Sequence, residues 1–208
     1  LYPLGNPPNY EPAPEDSIAA KAAEAGVSPQ EFCYDLMMQD NGKTVVYFPC
    51  FGYGANDLSR QVELLEDSST VISLADTGAH CGVLCDASIP TQMLSYYVRD
   101  RERGHRLKLE DVVKMQTFDT ARCVGLEDRG TLEVGMKADL NLIDFETLQL
   151  ESPQIIYDLP AGGRRMFQGA SGYIATIVNG EVIMENGKHT GAVPGALIRG
   201  AQPAPKAA

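Results

Sequence analysis

The sequence predicts an α/β fold to about residue 125, followed by a small β part. Two apolar runs of strand length, residues 44–48 and 70–74, are rich in β-branched side chains, which is typical of parallel strands buried on both faces. Helical periodicity follows each run, and this alternation indicates βαβ units with right-handed crossovers. Because two such units cannot cover both faces of a parallel sheet, we expect the remaining strands to come from elsewhere.

The first helices follow a proline-rich start. Five prolines among residues 1–16 exclude a regular helix there. An alanine-rich helix is predicted over residues 17–25, because Gly26 suits a left-handed C-cap. Ser28 and Glu31 form a capping box that opens the next helix. Apolar spacing predicts three more helices, at 57–65, at 89–103 and from Leu109 onward.

The β part carries a hairpin signal. Asn179-Gly180 separates two apolar, β-prone runs, residues 173–178 and 181–184. A type I′ turn needs positive φ at both central residues, and Asn-Gly supplies them. A further strand is predicted within residues 139–144.

Composition excludes several classes of protein. The formal charge of −11 argues against nucleic-acid binding, which needs a basic face. The longest apolar runs are far shorter than the ~18 residues that a membrane-spanning helix needs. The five cysteines are odd in number and form no C-x-x-C pair, which predicts reduced thiols and a cytoplasmic location.

Asp76 is the leading candidate for chemistry. It follows a predicted buried strand and precedes a glycine-containing loop. Ligands and catalytic residues gather at the carboxyl ends of parallel strands, where an acid can bind a metal or act as a general base. The alternative is that Asp76 only caps the following loop through backbone amides.

His80 is the second candidate, as a substrate-binding residue. The alternatives are a loop histidine bonded to backbone, or a local zinc site with Cys81, Cys85 and Asp86, although this spacing does not match the usual zinc patterns. With three histidines far apart in sequence, the chain is poorly supplied for a self-contained metal site. The remaining polar candidates have structural interpretations: a glycine turn at 162–165, surface positions for His105 and His189, and a turn carboxylate at Asp139.

Residues 117–144 carry a resemblance to a known family. A helix ends in Gly125-Leu126, and Arg129-Gly130, Gly135 and Ala138-Asp139-Leu140 follow at short intervals. This pattern, with Asp76 about 40 residues earlier, resembles the carboxyl-terminal region of metal-dependent amidohydrolases. The stretches 158–165 and 190–195 resemble the N-acyl-D-amino-acid deacylase (D-aminoacylase) branch.

The resemblance implies the C-terminal part of a (β/α)₈ TIM barrel followed by part of a small β-sandwich. It divides the chain into a barrel portion at 1–129, a β-sandwich portion at 130–200 and a flexible tail at 201–208. Asp76 would be the last-strand aspartate, a catalytic proton acceptor and metal ligand, beside one or two zinc ions. Zinc can lower the pKa of a bound water from about 15.7 to ~7. The other ligands of the family lie on earlier strands, so only Asp76 is transferred.

The implied activity is hydrolysis of non-peptide C–N amide bonds, with an N-acyl-D-amino acid as the small-molecule substrate. We expect the fragment alone to be inactive and to associate with a complementary N-terminal segment or with a second copy of itself. The family's deacylases often have an arginine near the final aspartate that receives the substrate carboxylate, whereas loop 78–86 has none. Two alternatives are a hydrolase of cyclic amides or hydantoins, and a non-catalytic interaction module that keeps the fold.

Overall fold

A computed structural model describes residues 1–73 and 80–205, which form helices and antiparallel strands. The α-helices are α1 (Ile18–Ala25), α2 (Pro29–Met38), α3 (Ser59–Glu66), α4 (Ile89–Gln92), α5 (Leu109–Lys114) and α6 (Thr120–Cys123). Wider π-type turns, Met93–Asp100 and Met115–Asp119, continue α4 and α5. The strands are β1 (Tyr2–Pro3), β2 (Val46–Tyr47), β3 (Leu140–Ile143), β4 (Gln149–Leu150), β5 (Gln154–Leu159), β6 (Gly163–Phe167), β7 (Ala170–Ser171), β8 (Tyr173–Val178), β9 (Glu181–Glu185) and β10 (Lys188–His189).

The capping signals place α1 and α2 as predicted. The Ser17 hydroxyl accepts a hydrogen bond from the Ala20 N–H at the start of α1, and Gly26 ends the helix with φ 69°. The Ser28 hydroxyl accepts from the Glu31 N–H in the same way. Each cap satisfies a backbone donor that has no partner within its own helix. The helices predicted near 57–65, from residue 89 and from Leu109 are also confirmed.

The prediction of a parallel strand buried on both faces at residues 44–48 is wrong. Only Val46–Tyr47 forms a strand, and it pairs antiparallel with Tyr2–Pro3. Phe48 is 63% exposed, so the run is not buried on both faces. The reason is tertiary: the proline-rich start runs alongside this segment, and the Leu4 N–H donates to the Val45 carbonyl. In the second predicted run, residues 70–73 form no strand, and Leu74 lies outside the described residues.

A four-stranded sheet dominates the β part, in the order β10-β9-β8-β3, with antiparallel neighbours. The hairpin predicted at Asn179-Gly180 is confirmed, since these residues have φ 50° and 83° between β8 and β9. Two smaller antiparallel pairs, β5–β6 and β4–β7, lie outside this sheet. Among the described residues the fold is thus mixed helix and strand, and the barrel portion stays a prediction.

One hydrophobic core joins the N-terminal segment, the helices and the β part. Its buried members are Tyr2, Tyr53, Leu58, Val62, Met93, Leu94, Tyr97, Leu107, Val112 and Leu148. Because Leu148 follows β3 and is fully buried against residues of the helical part, the two parts pack together. The predicted boundaries after residues 129 and 200 stay predictions.

The last described residues lie against the end of α6. The Gln202 N–H donates to the Gly125 carbonyl, and the Gln202 carbonyl accepts from the Glu127 N–H. In residues 1–73 and 80–205, no helix has the length and apolar character needed to cross a membrane.

Candidate functional site

Asp76 falls within residues 74–79, outside the described residues, and its predicted role stays a prediction. The structure describes the chain on both sides of this segment. On one side, Val71, Ile72 and Ser73 line a cavity of about 620 Å³. On the other side, His80 begins a loop that continues to Ser88.

The cavity beside Ser73 has walls from two parts of the chain. The facing wall comes from the region of α6 and from the residues that follow it: Gln116, Thr117, Thr120, Ala121, Cys123, Val124, Leu126, Arg129, Gly130 and Asp139. The Arg129 guanidinium donates to the carboxylates of Asp128 and Asp139, so its charge is already paired. Most of the remaining wall is apolar, and the volume lies in the range of small-molecule pockets.

His80 is exposed and has φ 49°. Its carbonyl accepts hydrogen bonds from the N–H groups of Val83 (2.8 Å) and Leu84 (3.1 Å), which form a tight turn. The backbone therefore fixes the first residues of the loop and leaves the imidazole accessible. Its substrate-binding role stays a prediction.

The loop is held by the end of β6 and by the residue that follows it. The Cys81 carbonyl accepts from the Met166 N–H at 2.6 Å. The Ser88 hydroxyl donates to the Gln168 side-chain carbonyl at 2.6 Å, and the Cys85 thiol lies 3.7 Å from the same oxygen. Burial raises the pKa of the Cys85 thiol, and the negative charge of Asp86 adds to this effect. A raised pKa disfavours the thiolate, which is the nucleophilic form of cysteine.

The described residues do not form a metal site. Within residues 1–73 and 80–205, no group of three His, Cys, Asp or Glu side chains is arranged to hold an ion. The alternative of a local zinc site at His80, Cys81, Cys85 and Asp86 is therefore wrong. These four residues are not the ones that the resemblance assigns to a metal, and of those only Asp76 belongs to this chain.

The structure explains the other polar candidates as structural groups. Asp139 accepts from the Asn179 N–H at 2.8 Å, which ties the start of β3 to the hairpin turn. Arg165 pairs with Asp158 across the β5–β6 hairpin, and His105 contacts Glu66. The His189 imidazole accepts from the Gly191 N–H.

No sequence pattern indicates two residues that meet beside the loop that begins at His80. Gln168 and Tyr10 exchange hydrogen bonds, with 2.8 Å from the Gln168 amide nitrogen to the Tyr10 hydroxyl and 3.1 Å from that hydroxyl to the amide oxygen. They lie 158 residues apart, and neither belongs to a motif. Only the tertiary structure brings them to the loop.

Comparisons with known proteins identify the family of the chain. A family model described as "Amidohydrolase family" matches residues 16–184. A curated relative, the 5-methylthioadenosine/S-adenosylhomocysteine deaminase of Pelotomaculum thermopropionicum, is 30% identical over 135 residues, which is 60% of this chain and 30% of that protein.

Solved structures of D-aminoacylase also resemble the chain. One, described as defining a novel subset of amidohydrolases, has 26% identity, covers 86% of this chain and 34% of its own, and has a TM-score of 0.46. A mutant in complex with copper chloride has 24% identity, 87% and 34% coverage, and the same TM-score. The chain thus spans about a third of the length of the proteins it matches. Since the family model covers well over half of its residues, the chain belongs to the amidohydrolase family.

Proposed function

We propose that this chain is the C-terminal part of a hydrolase of the amidohydrolase type, which cleaves a C–N bond of a small molecule. The observation that carries the proposal is the family match over residues 16–184, which includes both the Asp76 segment and the motifs of residues 117–144. Within the family, the leading substrate is an N-acyl-D-amino acid, because the motifs at 158–165 and 190–195 resemble the D-aminoacylase branch. A barrel closed by strands outside this chain, a resident zinc and a cytoplasmic location belong to the same proposal.

In this proposal Asp76 is the proton acceptor of the hydrolysis. A carboxylate held beside the bond to be cleaved can take a proton from the attacking water and pass it to the departing amine. His80 would contact the substrate from the exposed start of the following loop. Ligation of the metal by Asp76 is part of the proposal, and the remaining ligands would come from other strands.

A second candidate substrate class lacks a free carboxylate. Loop 78–86 contains no arginine, and a substrate carboxylate usually needs a cationic partner when it is bound. This absence favours cyclic amides such as hydantoins. The curated relative is named as a 5-methylthioadenosine/S-adenosylhomocysteine deaminase, which adds a nucleoside to the compounds to be tested.

The test is a substrate screen on the full-length natural protein. N-acetyl-D-amino acids and their L enantiomers, hydantoin, dihydrouracil and 5-methylthioadenosine are each assayed for release of amine, acid or ammonia. Bound metal is measured by mass spectrometry, before and after dialysis against a chelator. We expect turnover of one class and loss of activity with the metal. A metal-free protein that turns over none of these compounds would support the non-catalytic module instead.

Asp76→Asn in the full-length protein should lower kcat by about 10²–10⁴-fold, the range for loss of a general base. The amide keeps the size of the side chain but cannot accept the proton. Asp35→Asn, at an exposed position of α2, is the matched control, and its kcat should stay near that of the wild type. A kcat that survives Asp76→Asn would contradict the assignment.

A further inference from the structure

The Gln168 side chain is a hydrogen-bond hub between distant parts of the chain. Its amide oxygen accepts from Ser88 (2.6 Å) and from Tyr10 (3.1 Å), and the Cys85 thiol approaches it at 3.7 Å. Its amide nitrogen donates to the Tyr10 hydroxyl and to the Glu151 carbonyl, both at 2.8 Å. Both the oxygen and the nitrogen of the neutral Gln168 amide are therefore hydrogen-bonded.

The contacts of the hub converge on loop 80–88. Gln168 holds the loop at Cys85 and Ser88, and the Met166 N–H holds it at Cys81. We call the Met166 N–H and the Gln168 side chain the 166–168 clamp. None of residues 80–88 is fully buried, and Val83 is 71% exposed, so burial of apolar side chains supplies only part of the loop's order. The clamp is thus a main source of order for the loop.

Tyr10, the partner of Gln168 outside the loop, is held firmly in place. Tyr10 packs edge-on against Tyr47, with ring centroids 5.3 Å apart, and burial raises the pKa of its phenol well above the ordinary value. Its neighbour Glu11 forms a fully buried ion pair with Arg101. Because Tyr10 is held in this way, its hydrogen bonds fix the position of the Gln168 amide, and the Gln168 amide in turn holds the loop.

We propose that Gln168 is a positioning residue that holds loop 80–88, and with it His80, for substrate binding. The part concerning substrate rests on the proposed function. Without the clamp the loop samples other conformations, and a substrate must select the ordered one, which weakens its apparent affinity. Once the substrate is bound, the groups that react are the same as in the wild type, so the rate of the chemical step should change little.

The first experiment measures loop order without any assay of hydrolysis. In the full-length protein, with every cysteine except Cys85 replaced by serine, the rate of Cys85 labelling by a thiol reagent is compared between wild type and Gln168→Leu. Leucine keeps the approximate volume and removes both amide groups. We expect labelling to accelerate roughly tenfold, since several hydrogen bonds are lost together. Amide hydrogen exchange should accelerate over residues 80–88.

Gln154→Leu is the matched control, because Gln154 is an exposed residue of the same hairpin, paired with Phe167. Its labelling rate should equal that of the wild type. Ser88→Ala, which removes one contact of the hub, is the milder variant if Gln168→Leu fails to fold, and it should give a smaller acceleration. Labelling and exchange that stay at the wild-type rate in a folded variant would overturn the proposal.

The second experiment separates positioning from a general structural effect. With the substrate found in the screen, Gln168→Leu should raise KM about tenfold and leave kcat within about threefold, the pattern of lost binding. An unchanged KM with faster labelling would show that the clamp orders the loop but does not position it for substrate, and would overturn the functional part. If the wild type turns over nothing, the proposed function fails, and the labelling rates alone decide whether the clamp exists.

Discussion

A single acid, Glu11, fixes the start of the chain. Its side chain is 0% exposed and that of Arg101 is 1% exposed, and the guanidinium donates two hydrogen bonds of 2.9 Å to the carboxylate. The Leu58 N–H and the Tyr96 hydroxyl donate to the same carboxylate at 2.6 and 2.7 Å. Burial alone would raise the pKa of Glu11, but these hydrogen bonds together lower it below its ordinary value. The acid therefore stays charged in the folded protein.

Glu11→Gln should lower the free energy of unfolding by about 3–5 kcal/mol at pH 7, because it leaves a buried cation without its partner. The pH dependence should also change. Since folding lowers the pKa of Glu11, its contribution is present above the unfolded pKa and is lost as pH falls through the folded value. The variant should therefore lose less stability on acidification than the wild type. Urea unfolding followed by circular dichroism between pH 3 and 7 measures both effects.

Glu63→Gln is the control for this pair. Glu63 contacts Arg60 on the surface, where the side chains are 62% and 71% exposed, and such pairs contribute at most about 1 kcal/mol. An equal loss of stability in the two variants, or parallel acid profiles for Glu11→Gln and wild type, would contradict the account of the buried pair.

At the scale of the element, the β8–β9 hairpin depends on its turn. Gly180 has φ 83°, and a Cβ added there would meet no atom within 4 Å. Gly180→Ala should thus destabilise through the backbone alone, by about 1–2 kcal/mol, which is the cost of left-handed backbone in a residue with a Cβ. Thermal unfolding measures it. Gly195→Ala is the control, because that glycine also faces open space but has no positive φ, and its Tm should change little or rise slightly.

The elements that could be predicted are those whose signals are local. Ser28 caps a donor three residues away, and Asn179-Gly180 makes its turn with its own backbone. The run at 44–48 could not be read correctly, because its strand partner is Tyr2–Pro3, and propensity alone does not identify a partner. The same holds at the site. The position of Asp76 after a predicted strand suggested a functional carboxylate, whereas Gln168 meets Ser88 across 80 residues without any motif.

At the scale of the whole molecule, the helical and β parts are one packed unit. Leu148 from the β part is fully buried in the core formed by Tyr2, Leu58, Met93 and Val112. Arg99 adds a polar link, since its guanidinium donates to the Leu148 carbonyl at 2.7 Å. Loop 80–88 is attached to this unit through the 166–168 clamp. Substitutions that destabilise the β part should consequently also loosen loop 80–88, which belongs to the proposed site.

The whole chain, purified as these 208 residues, should release no amine from any N-acetyl-D-amino acid, even with added zinc. Its described residues hold no group of three metal-ligating side chains, the resemblance adds only Asp76, and one carboxylate cannot complete a catalytic zinc site, which usually has three protein ligands. The full-length natural protein, in the same amine-release assay, is the positive control, and a heat-denatured sample of the chain sets the background. Zinc-dependent release above that background by the chain alone would show that it forms a complete active site, and the proposal that other strands supply the remaining ligands would be wrong.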